Sequence, residues 1–275
     1  MKKSASLGPV VVFTSTNFGT SWSPAGPGLL NRQVRSLFVA GGTLLAGTNG
    51  GVARSLDHGA SWTVANAGLV NTGLFALITD VSTLYAGTDG SGVFRSDDGG
   101  LNWLAGNAGL TDPNVMSLVM SGHTLYAGAY NGLFKSTDRG ATWSDVSATL
   151  PIRYVPALAA GHGYVFAGTT GGVYRSADAG ATWQFAGAGM TNGNVFALLV
   201  EGSDLYAGTS GGGAFRSGDD GLTWTAINTG LTNNVVFGLA AGGGRLYDAT
   251  SGGGVYVSTD RGDNWTQSNA GIPFG

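Results

Sequence analysis

Short apolar runs alternate with polar turns along the whole chain. One stretch holds four such runs, at residues 195–200, 205–209, 214–217 and 224–227. Apolar residues that recur at every second position predict β-strands, and the Gly, Asn, Ser and Asp residues between the runs predict turns. No segment has the 3.6-residue period of a helix. The pattern therefore predicts an all-β chain of short strands.

An eight-residue phrase, here called the box, recurs seven times and always ends in tryptophan. These tryptophans are spaced 40 or 41 residues apart, at Trp22, Trp62, Trp103, Trp143, Trp183, Trp224 and Trp265. The third position of the box holds an acid or its amide: Asn17, Asp57, Asp98, Asp138, Asp178, Asp219 and Asp260. The interval is typical of one four-stranded blade, so the chain is expected to be a β-propeller.

With Ser first, Asp third, Gly fifth and Trp eighth, the box resembles the Asp-box, or BNR repeat, of sialidases, sortilin-type receptors, xyloglucanases and photosystem II assembly factors. The resemblance covers nearly the whole chain and implies that each box forms the turn between the third and fourth strands of a blade. We expect the Asp to accept backbone N–H bonds, the Gly to adopt positive φ and the Trp to lie between sheets. The boxes are a full blade apart, so their carboxylates are not expected to share a metal ion.

Counting strands predicts a single domain, residues 1–275, with six complete four-stranded blades over 34–275 and an incomplete first blade over 1–33. Only one strand, residues 10–14, is evident before the first box, and no inner strands follow the last. A truncated gene product, a defective blade, and a blade completed by another chain through strand addition remain open. The last would allow self-association. Asp248 replaces an alanine of the other complete blades, and we expect it to be hydrated beside the missing strand.

Composition narrows the classes of partner and compartment. Charged residues make up 11% of the chain, the net charge is −3 and no basic run occurs, so no nucleic-acid partner is expected. The chain contains no cysteine, which excludes disulfides and thiol catalysis. No apolar run is long enough to span a bilayer, and the start of the chain makes no convincing signal peptide. The family resemblance slightly favours an extracellular or periplasmic location.

The blade of the fourth box departs most from the repeat. Tyr130 lies in the loop between the second and third strands, where other blades have residues such as Asn or Ser. Arg153 and Tyr154 lie in the connection to the next blade. Both kinds of loop belong to the face opposite the boxes, here called the crossing-loop face. Aromatic residues with an arginine can stack on sugars or clamp an acidic group, although they can also simply fasten a longer connection. Arg35 is expected to face the central channel, since it shares its register with Phe75, Met116, Pro156, Phe196 and Phe237.

Catalysis finds little support. Glycoside hydrolysis uses two carboxyl groups, and only Asp89 and Asp112 are evident on the crossing-loop face. The arginines before the boxes repeat one scaffold position: Arg54, Arg95, Arg175 and Arg216. The three histidines are expected to be solvated turn residues: His58, His123 and His162. We predict a non-enzymatic binding or assembly scaffold for a protein or glycan, without cofactor. The alternative is a carbohydrate-active enzyme, sialidase- or glycosidase-like, or an inactive relative of one.

Overall fold

A computed structural model describes residues 12–29 and 33–273 of the chain. The start of the predicted first strand, at Val10, lies outside these ranges. The described residues form strands and turns, and no helix occurs among them. The prediction of an all-β chain is confirmed.

The strands of the described residues fall into one two-stranded sheet and six four-stranded blades, A to F. The N-terminal sheet has β1 (Phe13–Thr14) and β2 (Ser23–Pro24). Blade A has β3 (Val34–Ala40), β4 (Thr43–Thr48), β5 (Gly51–Ser55) and β6 (Thr63–Val64); blade B has β7 (Leu74–Asp80), β8 (Thr83–Thr88), β9 (Val93–Ser96) and β10 (Leu104–Ala105). Blade C has β11 (Val115–Ser121), β12 (Thr124–Ala129), β13 (Gly132–Ser136) and β14 (Ser144–Asp145); blade D has β15 (Ala157–Gly161), β16 (Tyr164–Thr169), β17 (Gly172–Ser176) and β18 (Gln184–Phe185). Blade E has β19 (Val195–Glu201), β20 (Asp204–Thr209), β21 (Ala214–Ser217) and β22 (Thr225–Ala226); blade F has β23 (Val236–Gly242), β24 (Arg245–Thr250), β25 (Gly254–Ser258) and β26 (Thr266–Gln267).

In blades A to F the box forms the turn between the third and fourth strands, as the resemblance implies, and the first box forms the turn between β1 and β2. In the fourth copy, Asp138 accepts hydrogen bonds from the Ser136 hydroxyl at 2.7 Å and the Thr142 backbone N–H at 2.9 Å. The Ser136 hydroxyl accepts the Gly140 N–H at 2.8 Å, and Gly140 has a φ of 82°. These hydrogen bonds stabilise the carboxylate and lower the pKa of Asp138 to about 2. The same bonds recur in the other boxes, so this sequence specifies the turn locally.

The box tryptophans connect consecutive blades. Trp143 is buried, and its indole N–H donates to the Gly106 carbonyl of the preceding blade at 2.8 Å. The equivalent bond joins Trp22 of the first box to the Ser268 carbonyl of blade F at 2.8 Å. On the other side of the N-terminal sheet, the Trp62 backbone N–H of blade A donates to the Pro27 carbonyl at 2.9 Å. The N-terminal sheet therefore lies between blades F and A and links them at the outside of the ring.

The centre of the ring is less complete. Consecutive inner strands pack against each other from β3 through β7, β11, β15 and β19 to β23. Within the described ranges, no comparable contact joins β23 back to β3. Among the described residues, blades F and A are thus joined at the outer positions, by the N-terminal sheet, and not through their inner strands.

Asp248 does not face this junction, so the expectation that it is hydrated there is wrong. It is fully buried, and it pairs in register with Leu239 and Tyr256 on the side of blade F that packs against Tyr206 of blade E. Successive residues of a strand point to opposite faces, so Tyr247, not Asp248, faces the N-terminal sheet, where it lies beside Gly19. Neither Asp248 carboxylate oxygen has a hydrogen-bond partner in the described structure, and burial raises its pKa to about 7.

Candidate functional site

A β-bulge shapes the start of the inner strands. In five blades the pairing with the second strand skips the second residue of the inner strand: Arg35, Phe75, Met116, Phe196 and Phe237. Pro156 occupies this place in blade D, directly before β15. A bulge releases a residue from the ladder and redirects its side chain. These six residues therefore form a ring at the crossing-loop end of the channel, here called the channel mouth.

Apolar side chains dominate both the channel mouth and the wall below it. A cavity of about 350 Å³ is lined by Phe75, Met116, Pro156 and Phe196 at the mouth and by Leu77, Ile78, Leu118, Leu158 and Leu198 further along the strands. The Phe196 and Phe237 rings contact each other, with centroids 5.4 Å apart, and Phe237 is 55% exposed. The mouth is thus an aromatic, partly exposed concavity.

Arg35 is the single charged member of the channel mouth. Its guanidinium lies 4.5 Å from the centroid of the Phe75 ring, which confirms the expectation that it faces the channel. One guanidinium nitrogen is 3.9 Å from an Asp89 carboxylate oxygen. The contact is long and both side chains are partly exposed, so this ion pair contributes little to stability.

The structure brings two of the three predicted ligand residues together. Tyr130 and Tyr154 pack with ring centroids 5.3 Å apart at an interplanar angle of 56°, and Tyr130 is 47% exposed. Arg153 instead donates to the Asp145 carboxylate on the outer strand β14, at 2.5 Å. The tyrosine pair is accessible on the crossing-loop face, while the arginine is already paired with a carboxylate. Their ligand-binding role stays a prediction.

Polar residues of the loops between blades fasten the backbone. The Asn192 side chain accepts the Asn194 N–H at 2.9 Å and donates to the Ser210 carbonyl at 2.8 Å. Asp112 occupies the equivalent position in an earlier loop between blades. Its carboxylate accepts the Asn114 backbone N–H at 2.9 Å and the Asn131 backbone N–H at 2.6 Å. Asp112 therefore has a structural role that its loop position alone did not reveal. The other candidate carboxylate of this face, Asp89, is the one beside Arg35.

The opposite face carries scaffold contacts. Arg175 donates to the Asp220 carbonyl of the next box at 2.8 Å, which confirms the interpretation of its repeated position. His162 lies exposed in the turn between β15 and β16, as expected, and in addition its two ring nitrogens lie 2.7 Å from an Asp220 carboxylate oxygen and 2.8 Å from the Gly202 carbonyl. Two acceptors favour the doubly protonated ring, and these hydrogen bonds raise the pKa of His162.

A second polar cluster on this face was not found from the sequence. Asp204 is 3% exposed and accepts hydrogen bonds from Arg261 at 2.8 Å and from the Tyr206 hydroxyl at 3.0 Å. The cluster borders a cavity of about 270 Å³ between blades E and F. Among the described residues, no group of histidine, aspartate and glutamate side chains could hold a metal ion.

Comparisons with known proteins agree with this architecture. The model of the DUF6242 beta propeller domain matches residues 158–274, and no curated protein matches the chain. The extracellular domain of BT4673 from B. thetaiotaomicron is 17% identical, with a TM-score of 0.72; the match covers 92% of this chain and 38% of that one. The chain is a six-bladed β-propeller. Its four-stranded blades are thus supported by sequence and by structure.

Three further structures are similar to the chain: one of an enzyme and two of YCF48. An ancestral GH74 enzyme is 18% identical with a TM-score of 0.68, over 94% of this chain and 40% of that one. YCF48 from Cyanidioschyzon merolae is 16% identical with a TM-score of 0.68, over 90% of this chain and 87% of that one. A YCF48 structure bound to D1 peptide is 13% identical with a TM-score of 0.67, over 86% of this chain and 81% of that one. The chain therefore spans well under half of the BT4673 and GH74 chains.

No helix of the described residues is long and apolar enough to cross a membrane.

Proposed function

We propose that the protein is a non-enzymatic scaffold that binds a protein partner on its crossing-loop face, over the channel mouth. The observation that carries the proposal is the bulge at the second residue of the inner strands, which presents aromatic side chains and Arg35 around an apolar cavity. Aromatic residues, methionine and arginine are enriched in protein interfaces relative to the rest of the surface. The tyrosine pair extends this surface outward.

The alternative is a carbohydrate-active enzyme or an inactive relative of one, which the likeness to an ancestral GH74 enzyme favours. Such catalysis would require an acid and a second carboxylate on either side of a bound sugar. Asp112 is hydrogen bonded to the backbone of two loops, and Asp89 lies beside Arg35. Both carboxylates of this face thus have neighbours that explain them without a reaction. The likeness of YCF48, a propeller with a bound peptide, supports the protein-binding proposal.

Two finer assignments belong to the same proposal. The boxes correspond to the Asp-box, or BNR repeat, because their Ser, Asp, Gly and Trp residues make one set of contacts around the ring. The N-terminal sheet corresponds to the outer half of an incomplete seventh blade. Trp22 supports this, since it makes the same indole bond to the blade before it as the tryptophans of the third to seventh boxes do.

A binding screen with three arms tests the proposal. The full chain is applied to an array of overlapping soluble peptides, to a glycan array and to β-glucan and sialoside hydrolysis assays. We expect peptide binding that Phe196→Ala or Arg35→Ala weakens at least tenfold. Leu104→Ala, at a 63% exposed site on the outer strand β10, is the matched control and should bind normally. Hydrolysis that Asp89→Asn or Asp112→Asn abolishes would instead establish the enzyme.

A further inference from the structure

A carboxyl group is buried where blades E and F meet, here called the E–F interface. Asp248 of β24 is fully buried, and neither of its oxygens has a hydrogen bond among the described residues. Tyr206, Ala214, Leu246 and Tyr256 belong to the apolar cluster of this interface. In such surroundings a charge costs far more free energy than a neutral polar group. The closed interface therefore favours the protonated form of Asp248.

Blade E provides the space that the Asp248 side chain occupies. At the four interfaces from blade A to blade E, a valine or leucine of one blade shares a buried cluster with an alanine of the next: Val52 with Ala86, Val93 with Ala127, Leu133 with Ala167 and Val173 with Ala207. At the E–F interface the larger side chain is on the other blade, since Ala214 takes the valine position and Asp248 the alanine position. Asp248 is thus accommodated by size, and its cost is electrostatic.

The strands around Asp248 are β20 and β21 of blade E and β23 and β25 of its own blade. Their titratable side chains are Asp204, Tyr206, Arg216 and Tyr256. Burial, together with a hydrogen bond to Asp204, raises the pKa of Tyr206 to about 12. The other three have partners of their own: Arg261 for Asp204, Asp263 for Arg216 and the Thr232 hydroxyl for Tyr256. None of these groups is hydrogen bonded to Asp248, so its charge is left uncompensated.

We propose that Asp248 makes the E–F interface sensitive to pH: the two blades pack closely while its carboxyl group is protonated and separate locally when it is ionised. Water solvates the carboxylate in the open interface, where its ordinary pKa of 3.8 applies, whereas burial raises the pKa to about 7 in the closed one. Opening is therefore rarest below pH 3.8, increases as the pH rises and levels off above pH 7. Between pH 5 and pH 7 the linkage amounts to a roughly 50-fold increase in opening.

The same interface reaches the channel mouth. Phe196 of blade E and Phe237 of blade F contact each other there, with ring centroids 5.4 Å apart. Separation of the two blades moves these rings apart, so the aromatic surface of the mouth is complete only while the interface is closed. This consequence rests on the proposed function, whereas the opening itself does not.

The reactivity of a buried thiol tests the proposal, because the native chain contains no cysteine. Val236→Cys places a thiol at the E–F interface beside Gly208 of blade E. Val195→Cys is the matched control, at the interface of blades D and E beside Gly168, and both valines are fully buried. Each variant is labelled with dithiodipyridine, a reagent that reacts with thiols at acidic pH, between pH 5 and pH 8. We expect the rate of Val236→Cys, divided by that of the control, to rise at least tenfold by pH 7 and then to level off.

Two further substitutions show whether the charge is the cause. Asp248→Ala and Asp248→Asn, each combined with either cysteine, should make the ratio of rates independent of pH. A constant ratio in the native background, or a rise that persists in either Asp248 variant, would overturn the proposal. Equal acceleration of both cysteines would also overturn it, because the whole ring would then open.

A second pair of cysteines covers the case in which Val236→Cys does not fold. Leu246→Cys at the E–F interface and Leu205→Cys at the interface of blades D and E occupy equivalent buried positions, and the same outcomes apply to them. The labelling uses no ligand, so its result is independent of whether the crossing-loop face binds a protein.

Discussion

Replacing Asp248 should stabilise the protein, with a gain that depends on pH. Burial raises the pKa of this carboxyl from 3.8 to about 7, and the described residues offer it no hydrogen bond. At 1.36 kcal/mol per pKa unit, this corresponds to roughly 4 kcal/mol of lost stability once the group is ionised in the folded state. The folded state binds the proton more tightly, so the penalty is absent below pH 3.8 and complete above pH 7.

The test is urea unfolding of the native chain, Asp248→Ala and Asp248→Asn at several pH values between 4 and 8. Alanine is the residue at this register position in the other blades, and it is fully buried there, for example Ala86 and Ala207. We expect Asp248→Ala to gain increasing stability over the native chain as the pH rises. Asparagine removes the charge but keeps a buried polar group, so its gain should be smaller with a similar pH dependence. A pH-independent difference, or a loss of stability at pH 8, would refute the argument.

The remaining predictions concern the box face. Trp143→Ala should lower the free energy of unfolding by about 3–5 kcal/mol, because it leaves a cavity in a buried site, and urea unfolding at neutral pH measures this. Trp143→Phe should cost about 1 kcal/mol more than Trp62→Phe, since the Trp143 indole N–H is bonded while that of Trp62 has no partner among the described residues. The lowered pKa of Asp138 contributes stability above pH 3.8 that is lost as the pH falls towards 2, so Asp138→Asn should melt with a weaker dependence on pH in that range. His162 has a raised pKa, so its contribution is complete below pH 6.5 and is lost above it; His162→Gln should remove that part of the pH profile of the melting temperature.

The features that the sequence predicts correctly are encoded by residues close together in the chain. Every hydrogen bond within a box joins residues at most four positions apart, so the phrase alone specifies the turn. Repetition then predicts the blades. The residue directly before the box glycine also has a positive φ. The sequence does not predict this conformation, because the position holds residues as different as Phe18, His58 and Arg139.

The features that the sequence did not predict depend on the direction of side chains. Arg153 was placed on the correct face, but its long side chain reaches Asp145 on an outer strand rather than the tyrosine pair. Asp248 belongs to the blade beside the N-terminal sheet, but strand alternation turns its side chain to the other face of that blade, against blade E. The β-bulges at the channel mouth cannot be predicted from the sequence, because the bulged positions hold residues as different as Arg35 and Phe196.

The indole bond from Trp22 to blade F has a consequence for how the molecule opens. In a linear stack of repeats the two terminal units fray independently of each other, since each has only one neighbour. Here blades F and A are joined, in the part of the chain that the structure describes, through a sheet of two short strands, and we expect this sheet to be the weakest span of the circle. Loss of this span would turn the circle into an open arc with blades A and F as its ends. Partial unfolding is therefore expected to start at this seam and to spread in both directions, with blades C and D the last to lose their structure.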